Sequence, residues 1–260
     1  TPGMWRPTVP RWRQLFSRKI QLPAAVLVVV VSAWEYGVPE MGIQPFILPT
    51  PSAIIVAFVE NHETILAELQ VTLRVFAIAF GLTLVTGYLM ALLMFEWKVL
   101  EATFFPYIIV IRSIPIVTLL PIFITWFGFG GQTVIVVSYL ISFFPMVVNT
   151  LSGFQETDGQ LVEMLESFSA SRWEVYRDVY FYSSLPTVFA GIKISVILAF
   201  TGTIVGELVL ANQGIGALII EYNSTFATPE MFAAVFTVSL SSLCCFGAVV
   251  GLERLFVDWT

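Results

Sequence analysis

Six stretches of this chain, about 20–38, 72–95, 104–127, 132–152, 184–210 and 232–256, each hold roughly 20 or more mostly apolar residues. That is the length an α-helix needs to cross the ~30 Å hydrocarbon core of a bilayer. Composition points the same way. Charged residues make up 12% of the 260, against roughly 25% in ordinary soluble domains, and the mean hydropathy is +0.87. The predicted fold class is therefore an all-α integral membrane protein of about six transmembrane helices. Pro115 and Pro121 interrupt the third stretch and Pro145 the fourth. Such breaks are tolerated where neighbouring helices or water satisfy the freed carbonyls.

Lys and Arg set the orientation. Residues 1–19 carry Arg6, Arg11, Arg13, Arg18 and Lys19; Lys98, Arg172, Arg177 and Arg254 fall in segments on the same side. The opposite segments, 39–71, 128–131 and 211–231, hold none. Both termini of this multi-pass membrane protein are expected in the cytoplasm. The basic start followed by an apolar run imitates a signal peptide. No small-x-small cleavage site follows, and the run continues through Trp34 and Tyr36, so it reads as a retained first span. The expected organisation is a cytoplasmic segment 1–19 and a single transmembrane domain 20–260. Acidic residues sit on both sides of the membrane, so the net charge of −6 carries less information than the placement of the bases.

Two interruptions stand out. On the outer side, Leu48-Pro49-Thr50-Pro51-Ser52 is held extended by its prolines. After it, Ile54, Ile55, Phe58, Val59, Ile65, Leu66 and Leu69 recur at near-helical spacing. The segment 48–70 reads as one or two amphipathic helices at the outer interface, and its lone His62 as a solvated side chain. On the cytoplasmic side, the loop 157–182 begins at a capping residue, Asp158. Leu161, Met164, Leu165 and Phe168 then form one apolar face. A Ser-Ala-Ser turn follows, then a second short helix with Trp173, Tyr176 and Val179 or Tyr180 on one side, ending before Pro186. A loop of this pattern serves either as a lever gripped by a partner or as an interfacial element resting on lipid.

The loop resembles the ATPase-coupling motif of ABC importer permeases: Glu-Ala-Ala, three residues, Gly, and later Leu-Pro. Glu163 falls on the acid, Met164 and Leu165 on the alanines, Ser169 on the glycine, and Leu185-Pro186 on the close. Ala170-Ser171-Arg172-Trp173 is similar to the Ala-Ser-x-Trp that often follows the glycine. Larger residues replace the alanines and serine the glycine, which adds steric cost at the turn. The rest of the chain agrees with the nitrate, sulfonate and taurine branch of these permeases. Leu48-Pro-Thr-Pro-Ser, Arg112-Ser-Ile-Pro115 with Pro121, Trp126-Phe-Gly128, Phe144-Pro145, Asn149-Thr150, Gly206-Glu207, Gly214-Ile-Gly216 and Leu252-Glu253-Arg254 follow its order and spacing. Ala227-Thr-Pro-Glu-Met-Phe-Ala-Ala234 resembles the subgroup that imports vitamin precursors, the thiamine pyrimidine and riboflavin.

The resemblance implies a type I ABC importer permease fold with a cytoplasmic coupling helix. The implied activity is passage of a small solute inward from a periplasmic or lipid-anchored binding protein. The solute is a vitamin precursor, nitrate, a sulfonate, taurine or bicarbonate. Implied partners are two ATP-binding subunits, a second permease copy or paralogue, the binding protein and the bilayer, with no nucleic acid. ATPase coupling is expected from Glu163, Met164, Leu165, Phe168, Ser169, Ala170 and Arg172. No Walker A loop, catalytic triad or metal spacing is present, so the subunit is expected to be non-catalytic and free of cofactors, with ATP and Mg on the partner ATPases.

Intramembrane ionisable groups are functional candidates. Arg112 either faces the pathway or snorkels to the interface. Glu207 lines the outer mouth or makes a packing hydrogen bond, and Lys193 serves orientation. Trp126, Phe127, Phe143 and Phe144 stack on a flat solute or pack against lipid and protein. Asn149 joins Arg112, Trp126, Phe144 and Glu207 as a candidate pathway residue. Gly202 and Gly206 permit close helix approach, within one chain or between two. Adjacent Cys244 and Cys245 suit small buried hydrophobes better than a disulfide. The rival reading is a stand-alone secondary transporter, which calls for inverted repeats with paired broken helices. No convincing repeat is visible.

Overall fold

The structure, a computed structural model, describes residues 11–210 and 212–257, with side chains from Gln21 onward. All regular structure among the described residues is helical. The order is α1 (Arg11–Glu40), α2 (Pro51–Glu96), α3 (Lys98–Ser113), a 3-10 turn (Ile116–Leu119), α4 (Leu120–Phe127), α5 (Gly131–Gln155), α6 (Gly159–Ser167) and α7 (Arg172–Val175). A π-helical turn (Tyr176–Tyr180) then leads into α8 (Phe181–Leu210), followed by α9 (Ile215–Ser224) and α10 (Thr228–Phe256).

Five helical stretches are long and apolar enough to cross a membrane, and a sixth crossing forms if the bent pair around Ile114–Pro115 counts as one. The two arms of that pair meet at 93°. Pro115 removes a backbone donor and disfavours helix at the residue before it, so the third span is broken. α5 instead runs through Pro145 as one helix.

Two expectations from the sequence are revised. The outer segment 48–70 forms no separate interfacial helix. From Pro51 it is continuous with the second span in a single helix of 46 residues, about 69 Å at 1.5 Å per residue and more than twice the hydrocarbon thickness. With no Gly or Pro between Ser52 and Phe80, nothing in the chain breaks it. The second helix of the 157–182 loop likewise does not end before Pro186. α7 passes through the π-helical turn directly into α8, and Pro186 lies inside α8.

The core forms where α5 packs along α8 and α2 along α5. Small and hydroxylated residues make this close approach possible. A Cβ at Gly202 would lie 2.7 Å from Ser138 Cα, so the glycine is required by internal packing within one chain. Ser138 Oγ donates to the Ala199 carbonyl at 2.7 Å, and Thr203 Oγ1 donates to Ser138 Oγ at 3.0 Å. Ser195 Oγ donates to the Ser142 carbonyl at 2.9 Å. Buried hydroxyls with partners avoid the 1–3 kcal/mol or so that each orphaned group would cost. α10 joins through an ion pair, with Lys193 Nζ at 2.8 Å and 2.9 Å from the Glu253 carboxylate oxygens. Lys193 thus has a partner on α10. Over Leu22–Val30 the side chains of α1 are exposed; its far end is held by Trp34 Nε1 donating to the Pro49 carbonyl at 3.0 Å, and by Glu35 accepting from Ser52. Cys244 and Cys245 are free.

Candidate functional sites at the two ends of the bundle

α8 separates two places where motif residues gather, one at its α7 end and one at its α9 end. At the α7 end, Asp158 Oδ1 accepts from the Gln160 backbone at 2.9 Å, capping α6 as its residue type predicts. α6 ends in a Schellman arrangement: Ala170 N–H reaches the Leu165 carbonyl at 3.1 Å and Ser169 N–H the Glu166 carbonyl at 2.9 Å. That motif needs a left-handed residue, usually glycine, and Ser169 occupies the position at φ 60°. The steric cost expected of serine there is therefore incurred. α7 opens with a complete capping box between Ser171 and Glu174. The turn linking α6 to α7 is thus fixed by its own backbone and side-chain hydrogen bonds.

The face this loop presents is uncovered. Phe168 is 77% exposed, and Leu161, Met164 and Trp173 are exposed as well. Glu163 is exposed, Leu165 and Ala170 half-buried. Arg172 reaches Glu96 at the end of α2, Nη2 to Oε2, at 3.5 Å. Behind the face, an aromatic group ties the loop to the bundle. Tyr176 shares a 2.7 Å hydroxyl hydrogen bond with Tyr88 of α2, Trp173 stacks on Tyr176 at 5.8 Å, and Tyr180 meets Phe95 edge-on at 4.8 Å. Tyr88, Phe95 and Glu96 escaped the sequence reading, because in a long apolar helix nothing marks which turn meets a distant loop.

At the α9 end the motifs Gly206-Glu207 and Gly214-Ile-Gly216 form one unit. Three consecutive backbone N–H groups open α9, and each is taken by a side chain from another helix. Gly214 donates to the Glu68 carboxylate, Ile215 to Thr72 Oγ1 at 2.8 Å, and Gly216 to Glu207 Oε2 at 3.0 Å. Thr72 Oγ1 in turn donates to Glu207 Oε2 at 2.9 Å. The first-turn donors of a helix have no partner within it, and here α2 and α8 supply carboxylates that also suit the positive end of the helix dipole. Glu207 is 1% exposed. Its bulk explains the glycines: a Cβ at Gly214, itself at φ +98°, or at Gly216 would overlap the Glu207 side chain. Glu207 Oε1 has no hydrogen-bond partner, and Glu207 lines a cavity of about 260 Å³ together with Asn212, Gln213 and the Gly130–Gly131 start of α5. Glu68 and Thr72 were missed as site residues, although their four-residue spacing places both on one face of α2.

The remaining candidates are scattered. Arg112 is exposed in the last turn of α3, beside the 93° break, and none of the ion pairs among the described residues includes it. Trp126 is exposed on α4 and Phe127 beside it partly so. Phe144 is 7% exposed and packs with Ala91, Met94, Ile108 and Leu151, so the packing alternative holds for it within one chain. Phe143 packs against that cluster too. Asn149 Nδ2 donates to the Pro145 carbonyl at 2.7 Å on the side of α5 that faces Gly191 of α8.

Known proteins account for this arrangement. The chain is 32% identical over 238 residues to the formylaminopyrimidine transport permease protein ThiX of Halalkalibacterium halodurans, covering 91% of this chain and 95% of that one. It is 33% identical over 260 residues to the riboflavin transport system permease protein RibX of Chloroflexus aurantiacus, covering 96% and 95%. Permeases named for aliphatic sulfonates, taurine and nitrate follow at 22–30% identity, the 30% match covering 57% of this chain. The crystal structure of an amino acid ABC transporter with histidines superposes with a TM-score of 0.60 at 17% identity, over 77% of this chain and 96% of that one, which shows a shared fold. The profile described as binding-protein-dependent transport system inner membrane component matches residues 83–257, and the chain belongs to that family, the permease components of ABC importers.

Proposed function

We propose that the α6–α7 face receives an ATPase subunit, and that the permease passes a vitamin precursor inward from a binding protein engaged at the α9 end. The observation that carries the docking reading is the pairing of a turn fixed by its own hydrogen bonds with an apolar face that none of the described residues covers. A coupling element needs both: stiffness to pass on a displacement, and free surface to be gripped. Because α7 runs without a break into α8, a push on α6 acts on a membrane-spanning helix, and the Tyr88–Tyr176 and Arg172–Glu96 contacts share it with α2. Glu163, Met164, Leu165, Phe168, Ser169, Ala170 and Arg172 form the contact region. ATP and Mg belong to the partner ATPases. Two permease copies, or this chain and a paralogue, enclose the path, with Arg112 and Trp126 beside its broken helix.

The excess of Lys and Arg at the α7 end supports a cytoplasmic location for both termini. The solute reading is supported by the relatives: those named for formylaminopyrimidine and riboflavin match at 32–33% identity over 91–96% of the chain, while those named for sulfonates, taurine and nitrate match at 22–27% over 94–96% or at 30% over only 57%.

Glu163→Arg is the test of docking. The variant is expected to insert in the membrane normally and to lose both ATPase co-purification and uptake. Co-purification and uptake at wild-type levels would refute the docking role. For the solute, the partner binding protein is expected to bind formylaminopyrimidine or riboflavin in preference to taurine or nitrate. The opposite order would overturn the vitamin-precursor reading.

A further inference from the structure

The three segments expected on the α9 side carry one charge sign, and the one base of α2, the exposed Arg74, lies two residues past Thr72. Segments 39–71, 128–131 and 211–231 contain Glu40, Glu60, Glu63, Glu68, Glu221 and Glu230 and no Lys or Arg. Two of these acids meet in a groove of about 280 Å³, where Glu68 of α2 and Glu221 of α9 flank Asn212, Gln213 and Ala217. The same Asn212 and Gln213 wall the neighbouring cavity lined by Glu207, whose Oε1 is buried without a hydrogen-bond donor. Glu68 uses its carboxylate on Gly214 N–H, and Glu221 is exposed. None of the ion pairs among the described residues involves Glu68, Glu207 or Glu221. Burial raises the Tyr222 phenol above its usual value, with Glu230 and Glu221 adding to the effect.

An acidic groove alone is only a solvated surface. The buried, unsatisfied carboxylate oxygen beside it is a different observation, since such an atom is costly unless a donor reaches it. A guanidinium or ammonium group supplies both the donors and the counter-charge. We infer that the Asn212–Gln213 segment, between Glu221 and Glu68 on one side and Glu207 on the other, is the seat for an arginine or lysine on the docking face of the solute-binding protein. The permease supplies the acids of this contact and the binding protein the bases. This inference rests on the reading that a binding protein engages the α9 end. Complementary charge of this kind speeds encounter and makes it sensitive to salt, because at 0.15 M ionic strength fields between exposed groups fade over about 8 Å.

The test uses the complete transporter, two permeases with their ATPases in nanodiscs, titrated with the purified, solute-loaded binding protein encoded beside it. ATP hydrolysis is the readout. In the wild type, the half-saturating concentration of binding protein should rise about tenfold between 50 and 500 mM salt. Glu221→Lys should raise it at least about fivefold at low salt, and Glu221→Gln about twofold. Glu207→Gln still offers Thr72 and Gly216 an acceptor but turns the free oxygen into an N–H2 donor, so it should raise the half-saturating concentration of binding protein and flatten its salt dependence. Pairing Glu221→Lys with Glu at the matching basic position of the binding protein should restore the wild-type value. A half-saturating concentration that stays within twofold across salt and in Glu221→Lys would overturn the inference while leaving the importer reading standing. A wild type that no binding protein stimulates would overturn both.

Discussion

The two ends of α8 solve opposite problems with similar residues. At the α9 end, carboxylates and a hydroxyl from α2 and α8 are turned inward and spent on the first three amides of α9, leaving the short helix docked by buried polar contacts. At the α7 end, the hydrogen bonds that set the turn are local, a Schellman turn and a capping box, and the ties to α2 lie behind the presented face. The apolar side chains there point away from the protein. At one end the backbone donors are satisfied by the chain itself; the other is stiff but uncovered by the described residues. On the proposed reading a partner covers the second, whereas at the first it meets a surface already held in place.

This contrast can be broken by substitution, and the largest effect is expected from Glu207→Ala. It removes the acceptor of Gly216 N–H and the partner of Thr72 from a fully buried position, and should destabilise the permease by about 2–4 kcal/mol, read as a lower melting temperature in detergent. Glu207→Gln, which can still accept from both, should recover most of that loss. Next comes Gly216→Ala, whose added carbon would sit 2.5 Å from Glu207 Cβ and 2.9 Å from the Leu208 backbone. A cost of about 1–3 kcal/mol is expected from such overpacking; a neutral result would mean that α9 is not tightly seated. Tyr88→Phe should cost about 1 kcal/mol for the lost hydrogen bond to Tyr176 and should lower transport per ATP hydrolysed more than it lowers hydrolysis. The loop itself should be tolerant. Ser169→Gly relieves a left-handed serine and should stabilise α6 by about 0.5–1 kcal/mol. Phe168→Ala should change the melting temperature least, within about 0.5 kcal/mol as for an exposed side chain, while reducing the ATPase retained on purification. If Phe168→Ala instead melts like Glu207→Ala, the distinction between the two ends fails.

Much of this was legible in the sequence because it follows from period and residue type. Apolar length marked the spans, Pro115 the broken third helix, and Asp158 and Ser169 the start and turn of the α6–α7 loop. What stayed hidden depends on which turns of long helices become neighbours. Residues 52–69 alternate polar and apolar as an interfacial helix would, yet no breaking residue separates them from the span, so continuity of α2 won over amphipathicity. Pro186 looked like a terminator but sits in the first turns of α8, after the π-helical turn. Glu207 was singled out as an outer-mouth or packing residue and Gly214-Ile-Gly216 as a separate family motif; their union needed Thr72, more than a hundred residues earlier. Phe144 was offered as a solute contact on residue type alone, and its burial against α2 and α3 comes from helix packing that periodicity does not encode.

Hydrogen–deuterium exchange on the permease, with and without its ATPase, tests the central contrast most directly. Amides of α9 from Ile215 onward should be protected in both states, since α2 and α8 already hold them. Amides of residues 161–175 should gain protection only when the ATPase is added. Protection of 161–175 that is complete without the ATPase, or that does not change on adding it, would contradict the account.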